Sequence, residues 1–558
     1  MTPRYRPAIT FVVTLPGGVG GRLVDRRVLR SSLNWEYVEP ATSTYVFYAN
    51  LTLQQLESLT LVCVGRVTID MLPSIALLEI FDFYLSELYA SWRTLVHVCR
   101  RWREIVFKSP RRLNLELSCS FGRPARAALD IWPPLLINIT FYKYCKRGGD
   151  VDNIVAALER KDRVCKIDLI SLSSSELEKI LAVMREPFMA LTSLKLGCHD
   201  HEIGKVAQGP DSFLGGSAPL LQTLTLRGIP IPILGLQKLI LSANDLVDIR
   251  LQNIRHSAYF SPQAIATALS ASTKLKSLEL TFQSPRSRPV RASRRPPPPT
   301  RTLLPALTDI TFKGINEYLE DVVAHIDAPL LDTLSITFFH QHLFRAPQLS
   351  RFISRSPRLK GHDEARVNFT HSIAQVTLRL PSLPNSREQE IRVSILCKHP
   401  DLQLLSMVQV CTSSFPQIFV STVKHLYVLE SKVYQYEGWA DDLEEWRNVQ
   451  KSQWLQLLQP FIAVVDFYIS EKIAPLIAPA LQELVGERVT EALPALECLF
   501  LDGLRGSGPV RNAIMPFVAV REPSTHPIVA SYWDSDKDYW WEWWHSDHDD
   551  DDMYYSID

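Results

Sequence analysis

The sequence predicts an α/β chain in which a small helical unit precedes a long, irregular solenoid of alternating strands and helices. Three observations predict it. Apolar residues between 70 and 117 recur at helical spacing. From about residue 135 to 505 a six-residue apolar phrase returns, at first every 24–32 residues. Between its copies lie stretches with helix-starting signals and a one-sided apolar pattern.

Composition sets the outer bounds. The chain has 558 residues, of which 46% are hydrophobic and 22% charged, as in globular proteins. No run of eighteen apolar residues occurs, so no membrane-spanning helix is expected. Sixty basic and sixty acidic residues cancel, but residues 534–558 hold ten Asp or Glu against one Lys. The body is therefore only mildly basic, which gives no reason to expect nucleic acid as a partner. The nine cysteines are an odd number, scattered, with no C-x-x-C pair. Reduced thiols in the cytosol or nucleus fit better than a disulfide framework or a structural zinc.

Residues 1–69 form an unassigned N-terminal extension. Arg4 and Arg6 precede an apolar run, Ala8–Leu15, in the order of a signal peptide. The run is too short for one, and Ile9–Leu15 reads as a strand instead. Gly17-Gly18-Val19-Gly20-Gly21 follows it without G-x-G-x-x-G or G-K-[ST], so a turn is expected there rather than a phosphate cradle.

The helical unit covers 70–117. Leu77, Ile80, Phe81, Tyr84, Leu85 and Leu88 share one face of a first helix. Leu95, Val98, Cys99, Trp102 and Val106 share one face of a second, opposite Arg93, His97, Arg100 and Glu104, and Ser109-Pro110 ends it. A core of under fifty residues is marginal alone and needs a partner or a neighbour to cover it.

The repeating phrase has the form L-x-x-L-x-L. Copies begin at Leu135, Val164, Leu191, Leu221, Leu246, Leu275, Leu307 and Leu331, and looser ones at Ile373, Leu402, Val423, Val464 and Leu496. Alternate apolar residues fit a short strand with one side turned inward, one strand per coil. The strict copy at Leu236 starts only 15 residues after Leu221 and is read as helix. Helices are expected around Leu177, Ile180, Leu181 and Met184, after a Ser175…Glu178 capping box, and after Ser261-Pro262. Leu319, Val322, Val323 and Ile326 mark another. Strand–helix alternation at this spacing is the leucine-rich-repeat signature, assigned to 118–505, with a C-terminal cap over 506–533. Beyond 340 the phase is poor.

Two segments depart from the pattern. Ser284–Arg301 has six Arg, six Pro and no acid, and is expected as an exposed insertion; Pro296, Pro299 and Arg301 match a proline-rich ligand. The tail from Ser531, acidic and rich in Trp, is expected to be disordered, 534–558 most plainly. Candidate chemistry is thin. Cys198-His199-Asp200-His201 lines up four metal-ligand types, but adjacent residues rarely converge on one ion. His545 and His548 lie in the tail. No metal, cofactor-binding or catalytic residue is nominated, no cofactor is expected, and the chain is not expected to be an enzyme.

Residues 72–106 resemble an F-box, through Leu72-Pro73, Leu78-x-Ile80-Phe81 and Leu95-Val96-His97-Val98-Cys99-Arg100-Arg101-Trp102. The longer string from Leu95 through Leu129-Asp130-Ile131-Trp132-Pro133, with Pro479–Val485 and Leu504–Phe517, is similar to the large F-box family of mushroom-forming fungi. The resemblance implies a substrate-recognition adaptor of a Skp1–cullin–F-box ubiquitin ligase. Leu72, Pro73, Leu78, Ile80, Phe81, Leu95, Val98, Cys99 and Trp102 would form or support the surface for a Skp1-like adaptor, and through it the cullin. The repeats would hold an unknown protein substrate. No membrane partner is implied, and the cytoplasm or nucleus would be the site of action. Leu72 and Pro73 precede the first helix and are expected outside the core. The alternative is a leucine-rich-repeat scaffold whose F-box-like helices only cap the solenoid.

Overall fold

The computed structural model describes residues 9–14, 44–49, 69, 72–86, 92–109, 113, 116–119, 126, 129, 135–140, 151–198, 212–286, 300–341, 344, 346–380, 389–415, 417–430, 446, 449–484, 486–502, 509–521 and 527–533. They fall into two compact units, Met1–Asn114 and Leu115–Asp558.

In the first unit β1 (Ile9–Thr14) pairs antiparallel with β2 (Thr44–Ala49), Ile9 opposite Ala49. The strand expected at Ile9–Leu15 is thus present, while its partner was not anticipated. Three helices follow: α1 (Ser74–Ser86), α2 (Trp92–Val98) and α3 (Arg100–Lys108). The single second helix expected from Leu95 to Val106 is broken at Cys99. Cys99 is extended (φ −155°, ψ 170°) and caps α3, its Sγ accepting from the Trp102 amide at 3.5 Å. Arg103 Nε donates to the Val96 carbonyl at 2.9 Å, meeting an acceptor that the break frees. Leu77, Phe81, Leu95, Val96, Ile105 and Val106 are buried, and Phe81 packs on Trp102 with ring centroids 4.7 Å apart. Leu88 lies outside the described residues.

The second unit is built on a sixteen-stranded sheet. In chain order its strands begin β3 (Glu116–Cys119), β4 (Leu136–Thr140), β5 (Val164–Leu172), β6 (Ser193–Cys198), β7 (Thr223–Arg227), β8 (Asp248–Ile254) and β9 (Ser277–Phe282). The short β10 (Thr302–Leu303) pairs in parallel with β12 (Ile326–Asp327), outside the large sheet. The sheet continues with β11 (Asp309–Gly314), β13 (Thr333–Phe339), β14 (Glu364–Phe369), β15 (Ile373–Arg379), β16 (Glu390–Leu396), β17 (His425–Glu430), β18 (Asp466–Ile469), β19 (Cys498–Asp502) and β20 (Val529–Trp533). Because β3 belongs to this sheet, the boundary expected after residue 117 falls instead between Asn114 and Leu115. Likewise Ser531, expected in a disordered tail, sits in the last strand beside β19. The 534–558 tail, the 287–299 part of the Pro/Arg insertion and Gly17–Gly21 lie outside the described residues.

Helices join many of the successive strands: α4 (Val151–Leu158), α5 (Ser174–Val183), α6 (Ile233–Ser242), α7 (Pro262–Ala268), α8 (Asn316–His325), α9 (Pro347–Arg355) and α10 (Pro400–Gln409). Then come α11 (Gln417–Val420), α12 (Lys451–Leu458), α13 (Ala474–Leu481) and α14 (Pro509–Arg521). Ser261 caps α7 with Pro262 at its first turn, as the sequence predicts. The capping box on α5 is Ser173 with Glu176, two residues ahead of the expected pair, because the chain turns directly off β5. Leu236 lies in α6.

One residue per strand points to the helices and the next points away. On β6, Leu194 and Leu196 are buried with Leu177, Ile180 and Leu181 of α5 in one continuous core. The coils are joined by backbone bonds just ahead of each strand. The Gln222 amide donates to Thr192, Val247 to Gln222 and Lys276 to Val247, each at 2.8 Å; Thr308 donates to Lys276 at 2.9 Å and Asp332 to Thr308 at 2.8 Å. This relay keeps the phrase in step from one coil to the next.

After β13 the relay is interrupted. The spatial order runs β13-β16-β15-β14-β17, so the chain skips two places, lays down β14, and fills the gap backwards. β15 is antiparallel to both neighbours; every other ladder of this sheet is parallel. The expected strand at Ile373 is therefore real but reversed, and those at Glu364 and Glu390 were missed. The phrase at Leu402 is not a strand but part of α10, where Pro400 opens a helix and Leu404, Met407 and Val408 turn inward. This insertion is why the sequence loses phase beyond 340.

Candidate partner-binding surfaces

The residues expected to form an adaptor surface are not equivalent. Leu72 is 5% exposed and its carbonyl accepts from Arg101 Nη2, so the expectation that it lies outside the core is corrected. Phe81 and Leu95 are also buried. Pro73 is exposed, while Leu78, Ile80, Cys99 and Trp102 are half-buried. Val98, the last residue of α2, is 56% exposed, and Ile75, which sequence reasoning did not single out, is 49% exposed. The break at Cys99 explains Val98: it ends α2 rather than continuing an inward stripe. Trp102 lies against Phe81, and its indole Nε1 is buried without a hydrogen-bond partner.

The second surface is the sheet face turned away from the helices. Its side chains align across strands in rows set by the parallel register. One row runs Asp168, Lys195, Thr225, Arg250, Glu279, Thr311 and Ser335, then Arg392, Thr377 and Arg366, then Tyr427, Tyr468 and Phe500. Its first part is polar and paired. Lys166 bonds Glu116 at 2.7 Å, and Arg250 lies 3.1 Å from Asp248. Glu390, only 6% exposed, takes Arg379 at 2.8 Å and Arg392 at 2.7 Å. Burial pushes the Lys313 ammonium pKa down; its Nζ stands 6.0 Å from the Phe339 ring.

The C-terminal part is aromatic. Tyr427 stacks on Tyr468 at 4.2 Å with 10° between the rings, and Tyr468 on Phe500 at 4.4 Å and 9°. Arg366 lays its guanidinium 4.9 Å from the Tyr427 centroid and pairs with Glu364 at 2.6 Å. Trp533 of β20 meets Tyr427 at 5.9 Å and Tyr468 at 5.4 Å. Burial, with Glu364 nearby, raises the Tyr427 hydroxyl pKa. Sequence reasoning missed this stack, although its signal was present. Tyr427, Tyr468 and Phe500 are each the fifth letter of a repeat phrase, the outward position between two inward ones.

Other candidates are smaller. Cys198 ends β6, but its neighbours His199, Asp200 and His201 lie outside the described residues, as do His545 and His548. Among the described residues no group of three or more His, Cys, Asp or Glu could hold a metal ion, and the seven described cysteines are free thiols. No helix among them is long and apolar enough to cross a membrane.

One strand per coil, parallel ladders and a helix-lined inner face decide the architecture. The fold is a leucine-rich-repeat solenoid. No family model and no curated protein matches the chain. Among solved structures it is similar to the leucine-rich repeat-containing protein LegL7 of Legionella pneumophila, at 12% identity and a TM-score of 0.24, over 72% of this chain and 97% of that one. In this solenoid the helices cover one face of the sheet, and the other carries the rows of side chains described above.

Proposed function

We propose that this chain is a substrate-recognition adaptor of a Skp1–cullin–F-box type ubiquitin ligase, acting in the cytoplasm or nucleus. The helical unit would dock a Skp1-like adaptor, and the open sheet face would hold a protein substrate. In this reading the chain carries no chemistry of its own; transfer of ubiquitin belongs to other subunits. The observation that carries the proposal is the pair of apolar side chains, Ile75 and Val98, that a small helical unit leaves exposed. Pro73 is exposed too, and Leu78 and Ile80 are half-buried on the same first helix. All but Ile75 belong to the F-box-like pattern.

The test is a pull-down of the full chain with a Skp1-type adaptor. Wild-type protein is expected to bind, and a Pro73→Ala/Val98→Asp variant to lose binding while keeping its circular dichroism. Retained binding by the folded variant would refute the surface. A second reading keeps the solenoid as a protein-interaction scaffold with no ubiquitin role. It rests on the open face alone, and predicts that no Skp1-type adaptor binds the wild-type chain.

A further inference from the structure

The open face changes character along its length, and its aromatic end is incomplete. Tyr427, Tyr468 and Phe500 form a stack with two ends. At the Tyr427 end the ring face is taken by the Arg366 guanidinium. At the Phe500 end the neighbouring strand offers Ser531 in register, a side chain too short to cover a ring. Trp533, two residues further on, turns back over Tyr427 and Tyr468 instead. Among the described residues the ring contact of Phe500 is with Tyr468 alone, and no cation stands on its other side.

We propose that this free face of Phe500 binds the guanidinium of an arginine-bearing segment of a partner protein. The inference rests on the reading of the open face as the partner-binding surface. The molecule already uses the same chemistry at the other end of the stack, where a planar cation lies over a ring whose face is electron-rich. Charge favours the same occupant. Asp502 follows Phe500 by two residues on the same side of β19, and Asp466, in register with Cys498 on that side, is paired with His425 Nδ1 at 2.9 Å. Carboxylates beside an aromatic face attract a cation and repel an anion.

The probe is a fluorescein-labelled heptapeptide of alternating Ser and Arg, compared by anisotropy with the same peptide carrying citrulline, which keeps the shape and loses the charge. The full chain is expected to bind the arginine probe roughly three- to thirty-fold more tightly. Phe500→Leu, which keeps an apolar side chain but removes the ring, is expected to erase that difference. So is Ser531→Trp, which covers the free face without touching the stack. Equal binding of the two probes, no binding of the arginine probe to wild type, or undiminished preference in folded Ser531→Trp would overturn the proposal. The pull-down with the Skp1-type adaptor reads the other unit. If it fails while the arginine preference holds, the adaptor reading falls and this inference stands.

Discussion

The amide of Glu390 donates to the carbonyl of Asp332 at 3.1 Å, although both β14 and β15 lie between them in the chain. Between ordinary coils the same bond joins one strand entrance to the next. Here it restarts the relay after the chain has doubled back, and Asp363 plays the same part for Lys424 at 2.7 Å on the far side of the insertion. The insertion is thus seated in the same backbone pattern as the coils around it.

Glu390 should hold this seat electrostatically as well. Its buried carboxylate binds Arg379 and Arg392 from neighbouring positions. Glu390→Ala leaves two guanidinium groups facing each other, and is expected to cost about 1–3 kcal/mol in urea denaturation. Arg392→Ala, at the more exposed partner, should cost less than about 1 kcal/mol.

Acid should weaken the same region through His362. The ring is fully buried, with neither nitrogen hydrogen-bonded, and lies 6.0 Å from Phe419. Burial pulls its pKa down from 6.5 to about 4, against the opposing pull of Glu390. The unfolded chain then binds this proton more readily than the folded one. The stability is fully present above pH 6.5 and is lost as the pH falls from there toward 4. The loss amounts to roughly 3 kcal/mol. Denaturation midpoints of His362→Phe should fall less steeply across that window than those of the wild type.

Tyr318 provides a test with the opposite sign. Its ring is fully buried, 4.6 Å from Phe282 and 6.1 Å from Phe312, but its hydroxyl has no hydrogen-bond partner. Tyr318→Phe keeps the ring contacts and removes an unsatisfied polar atom. Thermal unfolding should show no loss of stability, and a gain of up to about 1 kcal/mol.

In the helical unit, Leu72 and Val98 should separate folding from binding. Leu72→Ala empties a buried site and is expected to cost about 2–4 kcal/mol. Val98→Asp changes an exposed site and should leave the melting curve within about 0.5 kcal/mol of wild type. A change of binding in Val98→Asp without a change of melting would assign that residue to a surface.

Much of the solenoid was legible because its physics is local. A phrase such as Leu221–Leu226 places alternate leucines on one side of a strand, and the spacing to Leu246 leaves room for one helix. What letters could not give was pairing. Ile373 reads like Leu221, yet its strand runs the other way, because direction is set by the connection and not by the residues. Leu402 shows the same ambiguity between periods, with Pro400 as the overlooked helix start. At the candidate surfaces, apolar spacing ran one helical face from Leu95 to Val106, and only the extended backbone at Cys99 interrupts it, leaving Val98 at the end of α2. The aromatic stack was written in the fifth letters of three phrases, but a search for inward leucines passes over outward rings.

The backward insertion also fixes how the solenoid would yield to tension. Pulled from the C-terminal end, β20, β19, β18 and β17 each release one ladder and peel off in turn. The next strand along the chain is β16, which is clamped between β13 on one side and β15 on the other. Two ladders must then break together. The doubled-back strand is therefore a stopper in the zip, and the other twelve strands of the large sheet stay closed under a force that strips the last four.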